Sequence, residues 1–80
     1  MKKTEFTQIV EATGKEFRIE KTIIGYYRLM EGDNIYHDDS SDEDVNGSYE
    51  EAEAYFGNML LEYEVPEDKK EMRGGIWFLK

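Results

Sequence analysis

The chain has no cysteine, so neither a disulfide framework nor a thiolate zinc site supports it. That fits a reducing compartment. A single histidine, His37, excludes every metal motif that needs two imidazoles. A Ser-His-Asp arrangement would have to pass through that one residue. The longest uninterrupted apolar run is four residues, Ile76 to Leu79, far too short to span a bilayer. Met1-Lys2-Lys3-Thr4-Glu5 leads into a mixed polar segment, so no secretory leader is expected and a soluble, cytoplasmic protein is. One further absence is confined to part of the chain: from Leu29 to Asp68 there is no Lys or Arg.

That stretch of forty residues holds fourteen Asp or Glu, while residues 1–28 sum to +2 and residues 69–80 to +3. The net charge of −9 therefore arises entirely in the middle half. A field this one-sided repels nucleic acid and anionic membrane, and it attracts basic surfaces or divalent cations.

Eighty residues make a single domain, 1–80, at the small end of what folds without staples. Only 39% of the residues are hydrophobic, but eleven are Phe, Tyr or Trp, whose rings bury much area each. Phe6, Ile9, Val10 and Thr13 fall at i, i+3, i+4 and i+7, which predicts a helix over about 4–13 ended by Gly14. Alternation follows. Phe17, Ile19, Ile23, Tyr27 and Leu29 share one parity, and Ile24, Tyr26 and Met30 the other, alongside Arg18, Glu20, Thr22 and Arg28. This predicts one bent strand or two short ones, with Gly25 at the bulge or bend; a helix over residues 23–30 is the alternative, against which two Ile and two Tyr favour strand. Glu31-Gly32-Asp33-Asn34 reads as a turn and Ile35-Tyr36-His37 as the returning arm of a hairpin.

Residues 38–48 read as solvated acidic loop. Ser48 with Glu51 forms a capping box, and Tyr49, Ala52, Phe56, Met59, Leu60 and Tyr63 form one apolar stripe of a second helix. Pro66 stops that helix, Glu67 to Arg73 reads as a charged connection, and Gly74-Gly75 opens a closing strand. Because Ile76-Trp77-Phe78-Leu79 is apolar on both parities, the strand is expected to be central in the sheet or covered on both sides. The fold expected is α+β: a small, mostly antiparallel sheet with two helices packed on it, in the order α-β-β(-β)-α-β.

Two patterns bear on function. Residues 42–53, Asp42 to Glu53, satisfy D-x-[DN]-x-[DN]-G-x5-E and resemble an EF-hand calcium loop. The resemblance implies Asp42, Asp44, Asn46, Ser48, Glu50 and Glu53 as ligands, with Gly47 making the turn. No helix is predicted before Asp42 and no second loop exists, so calcium binding is kept as the alternative to an unliganded acidic loop. His37 beside Asp38 has the composition of a base with its orienting carboxylate, but no nucleophile is marked by context. The helix also places Ala54 and Leu61 away from its core stripe, with Gly57 near them, as a small dry contact ringed by acids. Trp77 is read as core filler first and interface anchor second.

Proteins that grip duplex DNA line their grooves with Lys and Arg against one phosphate charge per about 1.7 Å of axis. Carboxylates fixed on a helix and a hairpin suit such a groove as competitors. The expected binding residues are Glu31, Asp33, Asp38 and Asp39 around the hairpin and Asp42, Glu43 and Asp44 in the loop, followed by Glu50, Glu51, Glu53, Leu61, Glu62 and Glu64. In size, charge and element order the chain resembles the small acidic proteins of phages and mobile elements. These include DNA-mimicking anti-CRISPR and anti-restriction proteins and uracil-DNA glycosylase inhibitors. The resemblance implies stoichiometric inhibition without catalysis or cofactor, with a Cas effector favoured over a restriction enzyme or a glycosylase as partner. A plain acidic adaptor for some other basic protein is the remaining alternative.

Overall fold

The structure, a computed structural model, describes residues 3–23, 25–38 and 48–80. Among these residues the elements run α1 (Lys3–Thr13), β1 (Phe17–Lys21), β2 (Tyr27–Glu31), β3 (Asn34–His37), α2 (Tyr49–Tyr63), a short 3₁₀ turn (Glu67–Lys69), β4 (Lys70–Arg73) and β5 (Ile76–Leu79). The α+β class stands. The strands, however, form two antiparallel sheets, β1-β2-β3 and a separate hairpin β4-β5.

Helix α1 buries Phe6, Ile9 and Thr13. The Thr13 hydroxyl donates to the Val10 carbonyl at 2.6 Å and accepts from the Lys15 amide at 3.1 Å, so it closes the last turn itself. Gly14 then takes φ 71°, the left-handed conformation that only glycine adopts freely. In α2 the Ser48 hydroxyl accepts from the Glu51 amide at 3.2 Å. This is the N-cap the sequence predicts. The far end closes with Glu64 and Val65 amides both donating to the Leu60 carbonyl.

The three-stranded sheet resolves the bent-strand question as two strands. Phe17 pairs with Glu31 and Lys21 with Tyr27, joined by a turn in which the Thr22 amide donates to Tyr26 and the Gly25 amide to Thr22. Phe17, Ile19, Tyr27 and Leu29 face the core, as their shared parity requires. Ile23, in the turn, is fully exposed. Along β2 one step from Leu29 to Met30 corresponds to two on β3, from His37 to Ile35. Tyr36 is the extra residue, and the bulge lets its ring meet Phe17 edge-on at 5.2 Å. Met30, opposite Arg18, is buried on the outward parity, apart from the main core cluster.

Two expectations are corrected. The buried arc of α2 keeps Ala52, Phe56 and Leu60 of the expected stripe and widens on the other side to Glu53, Gly57 and Leu61. Tyr49 and Tyr63 are exposed. The helix meets two partners, α1 and β5, besides the sheet, so it buries a wider arc than one apolar stripe would cover. Leu61, 5% exposed, is therefore core, and it forms no dry surface contact with Ala54.

The closing strand is likewise neither central nor covered twice. Among the described residues it pairs only with β4, and Ile76 and Phe78 are exposed while Trp77 and Leu79 rest on the core. Gly74 and Gly75, at φ 57° and 81°, make the two-residue turn that a tight hairpin needs. The supposed charged connection thus includes a strand.

Candidate functional site

The acidic residues separate into groups with different surroundings. Glu50 and Glu51 are exposed in the first turn of α2, where carboxylates complement the positive end of the helix dipole. Glu62 is exposed near the other end, where a carboxylate is unfavourable. The Lys70 ammonium offsets it by donating to the Leu61 and Glu62 carbonyls at 2.6 and 3.0 Å. Eleven helical steps separate Glu51 from Glu62, about 17 Å along the axis. Asp33 at the tip of the β2-β3 hairpin and Asp38 after β3 are exposed, and Glu31 is half-buried. Among the described residues, Glu31, Asp33, Asp38, Glu50, Glu51 and Glu62 make no ion pair, whereas Glu20, Glu64 and Glu71 do.

Two expected members leave this face. Glu53 is 2% exposed, with Oε2 buried and unpartnered. Its charge and hydrogen bond, together with burial as the larger cause, push up the pKa of the Tyr49 phenol. Glu64 is half-buried and held by Lys15 Nζ at 2.6 Å and the Tyr36 hydroxyl at 2.9 Å. The Lys15 hydrogen bond holds the Glu64 carboxyl below the usual range and outweighs the effect of burial. Tyr36 is pushed up to about 12, first by burial and then by its hydrogen bond to Glu64. Glu64 is thus a structural tie between the α1-β1 junction, β3 and the end of α2. Asp39, Asp42, Glu43 and Asp44 lie outside the described residues.

Of the EF-hand-like set, Asp42, Asp44 and Asn46 also lie outside them, Ser48 caps α2, Glu50 is exposed and Glu53 is turned inward. No group of three or more metal-ligating side chains occurs among the described residues. His37 is half-buried. Its ring packs at 5.7 Å from Tyr55 and 5.9 Å from Phe56, with Nε2 buried and unpartnered. Asp38, its proposed orienting carboxylate, is exposed.

Two features escaped the sequence reading. On the outward face of the sheet Glu20 binds Arg18 at 2.7 Å and Arg28 at 3.0 Å, and Arg18 also donates to the Gly32 carbonyl. The Arg28 and Arg18 hydrogen bonds lower the pKa of Glu20. Their shared parity was the available signal. The second is a groove of about 260 Å³ where α1, α2 and β5 meet, lined by Ile9, Asn58, Leu61, Ile76 and Phe78 among others.

Comparison with protein-family models, with curated proteins and with solved structures returns no match. No helix among the described residues is long and apolar enough to cross a membrane.

Proposed function

We propose that the protein binds a basic nucleic-acid-binding protein at its nucleic-acid groove and inhibits it stoichiometrically as a DNA mimic. A Cas effector is the favoured target, which makes the protein an anti-CRISPR acting in the host cytoplasm. The observation that carries this reading is the exposed face of α2. Glu50, Glu51 and Glu62 stand on a rigid helix without cationic partners among the described residues, within a forty-residue stretch that has no Lys or Arg. Carboxylates already paired, such as Glu64 and Glu20, have little charge left to offer a partner. Those on α2 retain theirs. Steering by such a face raises association rates and makes them salt-sensitive.

The test is inhibition of Cas effectors, restriction enzymes and uracil-DNA glycosylase, with DNA added before or after the protein. Mimicry expects DNA bound first to protect the target. Glu50→Gln, Glu51→Gln and Glu62→Gln combined should weaken inhibition and flatten its salt dependence. Inhibition that is indifferent to order of addition and to the triple substitution removes competitive mimicry and leaves an adaptor or an allosteric inhibitor.

A further inference from the structure

The exposed side of α2 carries shape as well as charge. Glu51, Ala54, Tyr55 and Asn58 fall at i, i+3, i+4 and i+7 and enclose an open depression of about 330 Å³. Ala54 is small enough to keep its floor low. The Tyr55 ring lines it and is itself held by the rings of His37 and Phe56, each 5.7 Å away. Its charged member, Glu51, makes no ion pair among the described residues.

A second depression, of about 260 Å³, begins at the same Asn58 and lies between α2 and the β4-β5 hairpin. Leu61, Met72, Ile76 and Trp77 line it together with Glu62. Met72 is 51% exposed and Ile76 56% exposed, so much of this apolar surface is wet. The two depressions are centred about six helical residues apart, roughly 9 Å along the axis.

Their linings call for different occupants. In the first, a cation meets an unpaired carboxylate, a side-chain amide and an aromatic ring. Arginine suits these three better than lysine, because its planar, weakly hydrated guanidinium stacks on a ring while its edge donates to oxygens. In the second, the Lys70 ammonium already lies against the Trp77 ring and disfavours another cation, while the exposed aliphatic surface favours an apolar side chain. Arg73, opposite Ile76 in the hairpin, stacks on Phe78, pairs with Glu71 and does not line this depression.

We propose that the two depressions are the specificity sites for the basic partner. Together they seat one arginine and, about three extended residues away, one apolar side chain of the same segment. The inference rests on the reading above for its partner and adds what that partner presents beyond positive charge. Long-range attraction to the carboxylates brings the segment in, and the two seats hold it.

The test titrates the isotope-labelled full chain with three end-capped peptides, Arg-Gly-Gly-Leu, Lys-Gly-Gly-Leu and Arg-Gly-Gly-Gly, and follows amide NMR shifts. Shifts are expected around Ala54, Tyr55 and Asn58 and around Gly75 and Ile76. Exchanging Arg for Lys should weaken binding about threefold, and Leu for Gly about fivefold. Ala54→Gln fills the first depression and should erase the Arg preference alone. Ile76→Ser should erase the Leu preference alone. Neither substitution alters a carboxylate, and circular dichroism should not change. Equal binding of the Arg and Lys peptides, shifts confined to residues outside the depressions, or wild-type preferences in both variants would each overturn the inference. Its failure is separable from that of mimicry. Without the seats, inhibition would still respond to Glu50→Gln, Glu51→Gln and Glu62→Gln combined, whereas failed mimicry is indifferent to that triple substitution.

Discussion

The Lys70 ammonium lies 4.3 Å from the centroid of the Trp77 ring while it donates to two carbonyls at the end of α2. Lys70 is 5% exposed, so one buried cation closes the helix and fastens the β4-β5 hairpin to it. Lys70→Met keeps the apolar stem and removes the charge. It should cost about 2–3 kcal/mol, from carbonyls left unsatisfied and a lost cation–π contact. Urea denaturation should show the lower midpoint with an unchanged slope.

Glu64 ties Lys15 and Tyr36 together, and its effect on stability is pH-dependent. Its native pKa lies below the unfolded one, so its contribution is complete above about pH 4.5 and is lost as pH falls through the lowered native value. Glu64→Gln should cost about 1 kcal/mol at pH 7, and the difference should vanish in acid. At the alkaline end the signs reverse. Tyr36 is raised to about 12 and Lys15 is also raised, by its Glu64 hydrogen bond, so stability complete below about pH 10 declines above it. A wild-type stability curve parallel to that of Glu64→Gln from pH 2 to 7 would contradict this assignment.

A buried carboxylate with an unpartnered oxygen costs free energy, and Glu53 is such a group. Glu53→Leu should raise stability by about 1 kcal/mol, since the exposed Tyr49 phenol can turn to water. Millimolar calcium should raise the melting midpoint no more than sodium chloride of equal ionic strength. An ion present at 100 times its dissociation constant would add about 2.7 kcal/mol, an effect that Glu53→Leu would then abolish.

Salt should stabilise the fold. Raising ionic strength from about 0.01 to 0.15 M shortens the Debye length from roughly 30 to 8 Å and screens the repulsion among the unpaired carboxylates. Melting midpoints should rise across that range, and a flat response would mean that the fold already neutralises them.

Most of the fold was legible because its signals are local. Ser48 announces its cap, Gly14 its left-handed turn, and Phe17, Ile19, Tyr27 and Leu29 their common face. Strand β4 was not legible because Lys70-Glu71-Met72-Arg73 holds one apolar residue, and the side chain it buries is a lysine whose partners are helix carbonyls nine and eight residues earlier. Missing β4 misplaced the rest. Without that hairpin, Leu61 had nothing to cover it and β5 had to be central. At the acidic face the sequence counts carboxylates but not their partners. Lys15 and Glu64 stand forty-nine residues apart, a pairing that only the fold creates.

The Arg18–Glu20–Arg28 ladder has a consequence for how this molecule moves. Two guanidiniums share one carboxylate on the face of the sheet turned away from α2, while Glu50, Glu51 and Glu62 stand on the helix. A molecule with charge separated in this way has a dipole moment besides its net charge. In the field of a cationic surface it experiences a torque as well as an attraction, so it rotates while still separated from that surface. The arginine-bearing face swings to the rear, and first contact is made by the helix.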